Sequence, residues 1–254
     1  MRLLIPFVFV TAIAAQEKKP AEPKKEPPPK VMYAVPLVAK AGEKQKLSFR
    51  GKNLATVKEV RVTGTDGATA KVLSSKAVPV PNNYPGDRVG DSEVELELEL
   101  PKSAKPGEVN LVAVNTGGES NAYTLLLADD TPAVKEKEDN SGFDTAQAVP
   151  FPCAIEGTIK NERDVDCFKF EGKKGTKIRA EVQAARFGSP VDGFLTLYDA
   201  NRKILASADD TKDSSDPQVV FTLPADGTYF LVLIDAHDLG GANFGYRLLV
   251  TKTE

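Results

Sequence analysis

The segment Ser92–Leu100, SEVELELEL, sets Val94, Leu96, Leu98 and Leu100 in strict alternation with Glu93, Glu95, Glu97 and Glu99. A repeat of two puts the apolar set on one face of an extended strand and the charged set on the other, whereas a helix would scatter both around its axis. The chain must therefore build a sheet with one buried and one wet face here. The Glu row reads as a solvated face that also blunts a sheet edge. A row of cation ligands is the competing reading.

Other strand-like runs follow the same logic: Met32–Ala39, Gln45–Arg50, Glu59–Thr63, Ala70–Ser74, Val109–Asn115 and Ala122–Leu127. Ala41-Gly42, Asp66-Gly67, Pro85-Gly86, Pro106-Gly107 and Gly117-Gly118 punctuate them as turns. About seven short strands in about a hundred residues, with no helical period, predict an immunoglobulin-like sandwich over 31–128. It would lack the Cys–Trp–Cys core, because this stretch holds neither residue. Arg50-Gly51-Lys52-Asn53-Leu54, Ala104-Lys105-Pro106-Gly107 and Thr116-Gly117-Gly118-Glu119-Ser120-Asn121 resemble turns of the IPT/TIG type of immunoglobulin-like domain. In those turns glycine takes positive φ, and Asn or Ser caps its own loop.

Asp129–Val134 is polar and carries a proline, so 129–135 reads as a linker. Beyond it, Cys153–Ile159, Phe168–Phe170, Ile178–Val182, Phe194–Tyr198, Ile204–Ala206, Val219–Leu223, Tyr229–Ile234 and Tyr246–Val250 are strand-like. About eight such strands predict a jelly-roll-like sandwich over 136–254, which makes the whole chain all-β with two β-sandwich domains. Asp144–Gln147 fits one helical turn capped by Asp144.

The same region resembles the bacterial pre-peptidase C-terminal (PPC) domain. The resemblance rests on an ordered series: Glu136-Lys137-Glu138-Asp139-Asn140, Asp144-Thr145-Ala146-Gln147, Gly157-Thr158-Ile159, Asp164-Val165-Asp166-Cys167-Phe168 and Gly188-Ser189-Pro190-Val191-Asp192. It continues through Ala208-Asp209-Asp210, Leu223-Pro224-Ala225-Asp226-Gly227-Thr228-Tyr229 and Tyr246-Arg247-Leu248-Leu249-Val250. The resemblance implies an accessory module of exported proteins, which binds protein or polysaccharide partners. Its pairing with an upstream immunoglobulin-like domain is similar to exported proteins of planctomycete-type bacteria.

The amino end agrees with export. Met1–Ala15 has a basic Arg2, a short apolar run and small residues at Ala12-Ile13-Ala14, which is the pattern of a signal peptide over 1–15. An uncleaved anchor is the other reading. Residues 16–30, QEKKPAEPKKEPPPK, are proline-rich with mixed charge and read as a tether in extended polyproline II. No later stretch is long and apolar enough to span a bilayer, so the expected mature protein has no membrane span and is secreted or periplasmic.

Composition narrows the chemistry. A net charge of −3 leaves no basic footprint for nucleic acid. With one histidine, His237, two-histidine metal motifs are impossible, and any Ser-His-Asp triad must use that residue. His237 lies in Asp235-Ala236-His237-Asp238, where a surface-loop role outweighs a catalytic one.

Two acidic constellations remain. In extended backbone Glu136, Glu138 and Asn140 share a face, and Asp164 and Asp166 share another. By the PPC resemblance these five positions are implied to bind calcium, a hard cation that takes six to eight oxygens. A solvated acidic linker with turn-capping Asp is the alternative. Asp192, Asp209, Asp210, Asp213 and Asp216 form a second cluster, open between a cation site and Asx-turns. Cys153 and Cys167, the only cysteines, suit a disulfide in an exported chain if a hairpin joins their strands. Two buried free thiols are the other outcome. The function expected is that of an exported, non-enzymatic binding protein. An envelope spacer is the alternative, and a hydrolase using His237 is the weakest.

Overall fold

The computed structural model describes residues 26–80, 86–212 and 214–254. The signal peptide expected at 1–15, the tether up to residue 25, and Asp213 lie outside the described residues.

The alternating segment forms β6 (Ser92–Glu99), and its apolar residues are buried as expected. It sits between β3 (Lys44–Lys52) and β5 (Thr69–Ala77), with β1 (Lys30–Val35) beyond β3. The expected edge is therefore corrected: β6 is paired on both sides. Lysines of the neighbouring strands face the Glu row. Glu93 pairs with Lys76 at 3.1 Å and Glu99 with Lys44 at 3.0 Å, both cations being on adjacent strands. Cross-strand pairing of opposite charges accounts for the row.

The facing sheet runs β2 (Val38–Ala39), β9 (Tyr123–Leu127), β7 (Gly107–Asn115) and β4 (Glu59–Thr63), with the short β8 (Gly118–Glu119) on β7. In chain order, and counting β1 and β2 as one strand that changes sheet, this is the ABED and CFG arrangement of an immunoglobulin-type sandwich. Phe49, Leu54, Leu96, Leu98, Leu111 and Leu125 fill the space between the sheets.

The second sandwich uses β12 (Cys153–Thr158), β13 (Val165–Gly172), β14 (Lys177–Gln183), β15 (Gly193–Tyr198), β16 (Ile204–Ala208), β17 (Gln218–Thr222), β18 (Gly227–Asp235) and β19 (Gly245–Lys252). One sheet has the order β12-β19-β14-β17 and the other β13-β18-β15-β16. Numbered from its first strand, that is 1-8-3-6 facing 2-7-4-5, the double Greek key of a jelly roll. Two short strands extend the sheets, each pairing in parallel: β10 (Ala133–Lys135) with β12, and β11 (Gln147–Ala148) with β13. The end of the expected linker thus belongs to the second sandwich.

Two expectations fail here. Asp144–Gln147 is not a helical turn. Thr145 N–H closes a turn on Gly142 O, and Gln147 enters β11. Phe143 anchors this segment edge-on against Tyr198 and Phe230, and Asp144 pairs with Arg202 instead of capping. The disulfide is also absent: Cys153 and Cys167 are buried free thiols. The reason is topological. β12 and β13 are consecutive but lie in opposite sheets and form no hairpin. Cys153 faces the core between the sheets, whereas Cys167 alternates to the outer face and packs with Ala146 and Phe230.

The sandwiches touch directly. Tyr123 hydroxyl accepts from Ala34 N–H at 3.0 Å and donates to Phe187 O of the second sandwich at 2.6 Å. Leu37, Val38 and Phe187 form a small apolar cluster beside it. Arg247, almost fully buried, reaches back to Asp129 at 3.1 Å.

Candidate metal centre

β10 delivers Glu136 alongside β12 of the second sandwich. Its own N–H bonds Glu156 O on β12 at 3.0 Å, so the ladder is carried one residue past the strand. Its carboxylate turns inward, and Oε2 accepts from Thr158 N–H at 2.8 Å. Asp139 takes a positive φ of 72° and reverses the chain, which drops Asn140 into the interior. Asn140 O caps Cys167 N–H at 3.1 Å, and its Nδ2 donates to Glu136 Oε1 at 3.2 Å. On β13, alternation places Phe168 and Phe170 in the core and puts Asp166 on the same face, with no exposed surface.

Tyr246 of β19 closes the group. Its hydroxyl donates to Asp166 Oδ2 at 2.8 Å and stands 3.2 Å from Glu136 Oε1. Gly157 lies opposite Tyr246 in the β12–β19 ladder. A Cβ at Gly157 would come within 2.4 Å of the Tyr246 ring and 2.6 Å of Glu136 Oε2. Glycine is what allows the ring and the carboxylate to lie flat on the strand.

Burial, first, and the neighbouring Glu136 carboxyl, second, hold the Asp166 carboxyl far above the usual carboxylate range. Burial, with Asp166 and Glu136 beside it, likewise raises the Tyr246 phenol. Two oxygens in this group, Asn140 Oδ1 and Asp166 Oδ1, are buried with no hydrogen-bond partner among the described residues. An orphaned buried oxygen is costly. The donor set is all oxygen and includes two carboxyls, the ligand type that calcium takes.

Of the five positions expected to act together, the fold assembles Glu136, Asn140 and Asp166. Glu138 and Asp164 stay at the rim, tied to Lys160. Lys160 Nζ is 3.5 Å from Glu138, and Lys160 N–H donates to Asp164 Oδ2 at 2.6 Å. Asp164 Oδ1 also takes the N–H of Val165, so its carboxylate caps a turn. Tyr246 had no local signal, since it lies 110 residues from Glu136.

The second acidic cluster divides. Asp192, Asp209 and Asp210 bring carboxylate oxygens within 4.8 Å of one another. Asp192 also lies 3.1 Å from His237 Nδ1. Burial raises the Asp192 carboxyl, His237 opposes this, and Asp210, Asp235 and Asp209 add to it. Asp216 is elsewhere: it accepts from the N–H groups of Ala184, Ala185 and Arg186 and pairs with Arg186 at 3.0 Å. Asp216 thus takes a structural capping role, apart from the other three. His237 is 68% exposed on the loop after β18.

Residues 164–234 match the family model described as the bacterial pre-peptidase C-terminal domain. A "probable subtilase-type serine protease" of Deinococcus radiodurans is 46% identical over 82 residues, which cover 32% of this chain and 11% of that protein. The chain thus spans about a tenth of that relative's length, and the match is confined to the PPC part. Among solved structures, the pre-peptidase C-terminal domain of a Bacillus anthracis collagenase aligns with 42% of this chain and 94% of its own (16% identity, TM-score 0.35). PliG, a periplasmic inhibitor of g-type lysozyme from Aeromonas hydrophila, aligns with 42% and 97% (15% identity, TM-score 0.33).

Proposed function

We propose, from the premise that the second sandwich is a bacterial pre-peptidase C-terminal domain, that this chain is an exported, non-catalytic accessory protein. In this reading it binds a protein or polysaccharide partner, and calcium orders the junction between its sandwiches. PPC domains are non-catalytic accessory modules, which supports the first part. The leader-like pattern at 1–15 supports export. The immunoglobulin-like first sandwich, with its IPT/TIG-like turns, fits a module that positions the second.

One observation carries the calcium part: Asn140 Oδ1 and Asp166 Oδ1 are buried without partners beside the Glu136 carboxylate. Glu136 directly follows β10, the strand that ends the linker. A cation held by Glu136, Asn140 and Asp166 would therefore pin the linker to the body of the PPC domain. Tyr246 holds the two carboxyls in place and borders a cavity of about 200 Å³ between the sandwiches, lined in part by Val35, Pro36 and Leu37. Ordering at the site would be felt at the interface.

Calcium titration by calorimetry tests the metal. The reading expects binding that Asp166→Asn abolishes, and absence of heat with the wild-type chain overturns it. Co-sedimentation with protein-free envelope polysaccharide and with purified envelope proteins, with calcium and with chelator, tests the partner class. A protein that binds neither fraction leaves the second reading, an envelope spacer. The Tyr123–Phe187 contact, which braces one sandwich on the other, and the Arg247–Asp129 contact to the linker favour that reading.

A further inference from the structure

Two of the turns that resemble IPT/TIG motifs, at 50–54 and 116–121, meet with Thr56 and Asn115 at one end of the first sandwich and hold a peptide there. Asn53 Nδ2 donates to Pro28 O at 3.1 Å, and Asn115 Nδ2 donates to Pro27 O at 3.0 Å. The hydroxyls of Thr56 and Thr116 both bond the Glu26 carboxylate. Asn115, 9% exposed, is itself fixed, because its Oδ1 accepts from Gly117 N–H at 2.8 Å and from Gly118 N–H at 3.2 Å. Asn53 stands at φ 58°, the left-handed turn conformation that aims its side chain at the passing chain.

The main chain passes very close. A Cβ at Gly117 would fall 2.1 Å from Glu26 O, and one at Gly51 would fall 1.9 Å from Lys30 O. No other residue admits this approach. Toward the segment, the cradle offers two carboxamide N–H groups and two hydroxyls, all donors. That matches the chemistry of a proline run, which has carbonyl acceptors but no N–H. Proline also fixes the extended conformation in advance, so little ordering entropy is lost on docking. Pro29 is buried in the result.

We propose that this end of the first sandwich is a binding site for the backbone of a proline-rich, extended segment preceded by an acidic residue, occupied in this chain by its own Glu26–Pro29. The site reads carbonyls through Asn53 and Asn115 and the acid through Thr56 and Thr116. The last residues of the tether are thereby held on the domain, and the chain enters β1 from a fixed direction. A second chain bearing the same Glu-Pro-Pro-Pro run would compete for the place.

Chain continuity into β1 would also put these residues nearby, so the test must separate binding from continuity. Four full-length chains are compared by thermal melting: native, Asn53→Gly, Glu26–Pro29 replaced by Gly-Ser-Gly-Ser, and both changes together. Glycine keeps the left-handed turn and deletes only the carboxamide. Loss of one hydrogen bond lowers the melting temperature of the first sandwich by about 4 °C in the native chain, and by much less in the Gly-Ser chain. In parallel, the peptide KKEPPPK, residues 24–30, is titrated into the Gly-Ser chain to about millimolar concentration. That matches the effective concentration of a short tether. The Asn115 carboxamide signals in the NMR spectrum shift in this chain and stay still in the native one. Equal melting losses in both backgrounds, or unmoved carboxamide signals in the Gly-Ser chain, overturn the proposal.

Discussion

Asp166 is the residue on which the candidate centre turns. Without a cation its carboxyl holds a proton, because burial and the Glu136 carboxyl disfavour the charged form. The folded-state pKa is raised, so the folded chain binds more protons than the unfolded chain above the ordinary carboxylate range, about 4. Stability from this group is therefore full below that pH and is lost as pH rises. In chelator, the melting temperature of the second sandwich falls between about pH 4 and about pH 10, and calcium, by replacing the proton, flattens the fall. Melting curves at several pH values, with calcium and with chelator, check this. Asp166→Asn removes the titrating proton, keeps the shape and abolishes the pH dependence in chelator together with the calcium response. Gly157→Ala drives a methyl into Tyr246 and Glu136, so urea denaturation should show a loss of about 1–3 kcal/mol. At this scale the sequence was partly legible. Glu136, Asn140 and Asp166 were readable as oxygen donors in the right segments. Their separation from Glu138 and Asp164 was not, because Lys160 decides it through a backbone N–H and a side-chain charge that no spacing rule captures.

Among the elements, the strands declared themselves by period two and by turn residues. The expected runs lie in β3, β4, β5, β6, β7 and β9 of the first sandwich, with Met32–Ala39 spanning β1 and β2, and in all eight long strands of the second. The short parallel strands β10 and β11 escaped notice because two or three residues carry no periodicity, and β10 is the one that brings in Glu136. The cysteines were misjudged for a related reason. Proximity in sequence suggested a hairpin, but a jelly roll sends consecutive strands to opposite sheets, and the partner of β12 is β19. Each sandwich has its own apolar core, which yields an element-level prediction. Leu98→Ala on β6 deletes a fully buried side chain from the first core alone. It should cost about 2–5 kcal/mol there and leave the calcium response of the second sandwich intact. Denaturation followed separately for the two transitions checks this.

In the whole molecule, the junction matters more than either sandwich. Tyr123, Arg247 and the cluster of Leu37, Val38 and Phe187 set one module on the other. The candidate centre sits just beyond, on the residue that follows β10. Tyr123→Phe deletes the hydroxyl that bonds both Ala34 and Phe187 and leaves their backbone groups without it. The angle between sandwiches then broadens, which small-angle scattering would record as a larger maximum dimension, while calcium binding at Glu136, Asn140 and Asp166 persists. This level was the least legible in the sequence, because contacts such as Tyr123 with Phe187 join residues far apart and are made by ordinary side chains.

The most direct measurement is differential scanning calorimetry of the full chain in calcium and in chelator, for wild type and Asp166→Asn. A cation bound at a hundred times its dissociation constant stabilises the folded state by about 2.7 kcal/mol. The upper or lower transition that belongs to the second sandwich should therefore rise by several degrees in calcium for wild type and stay fixed for Asp166→Asn. A wild-type transition that calcium and chelator leave at the same temperature would contradict the calcium-pinned junction.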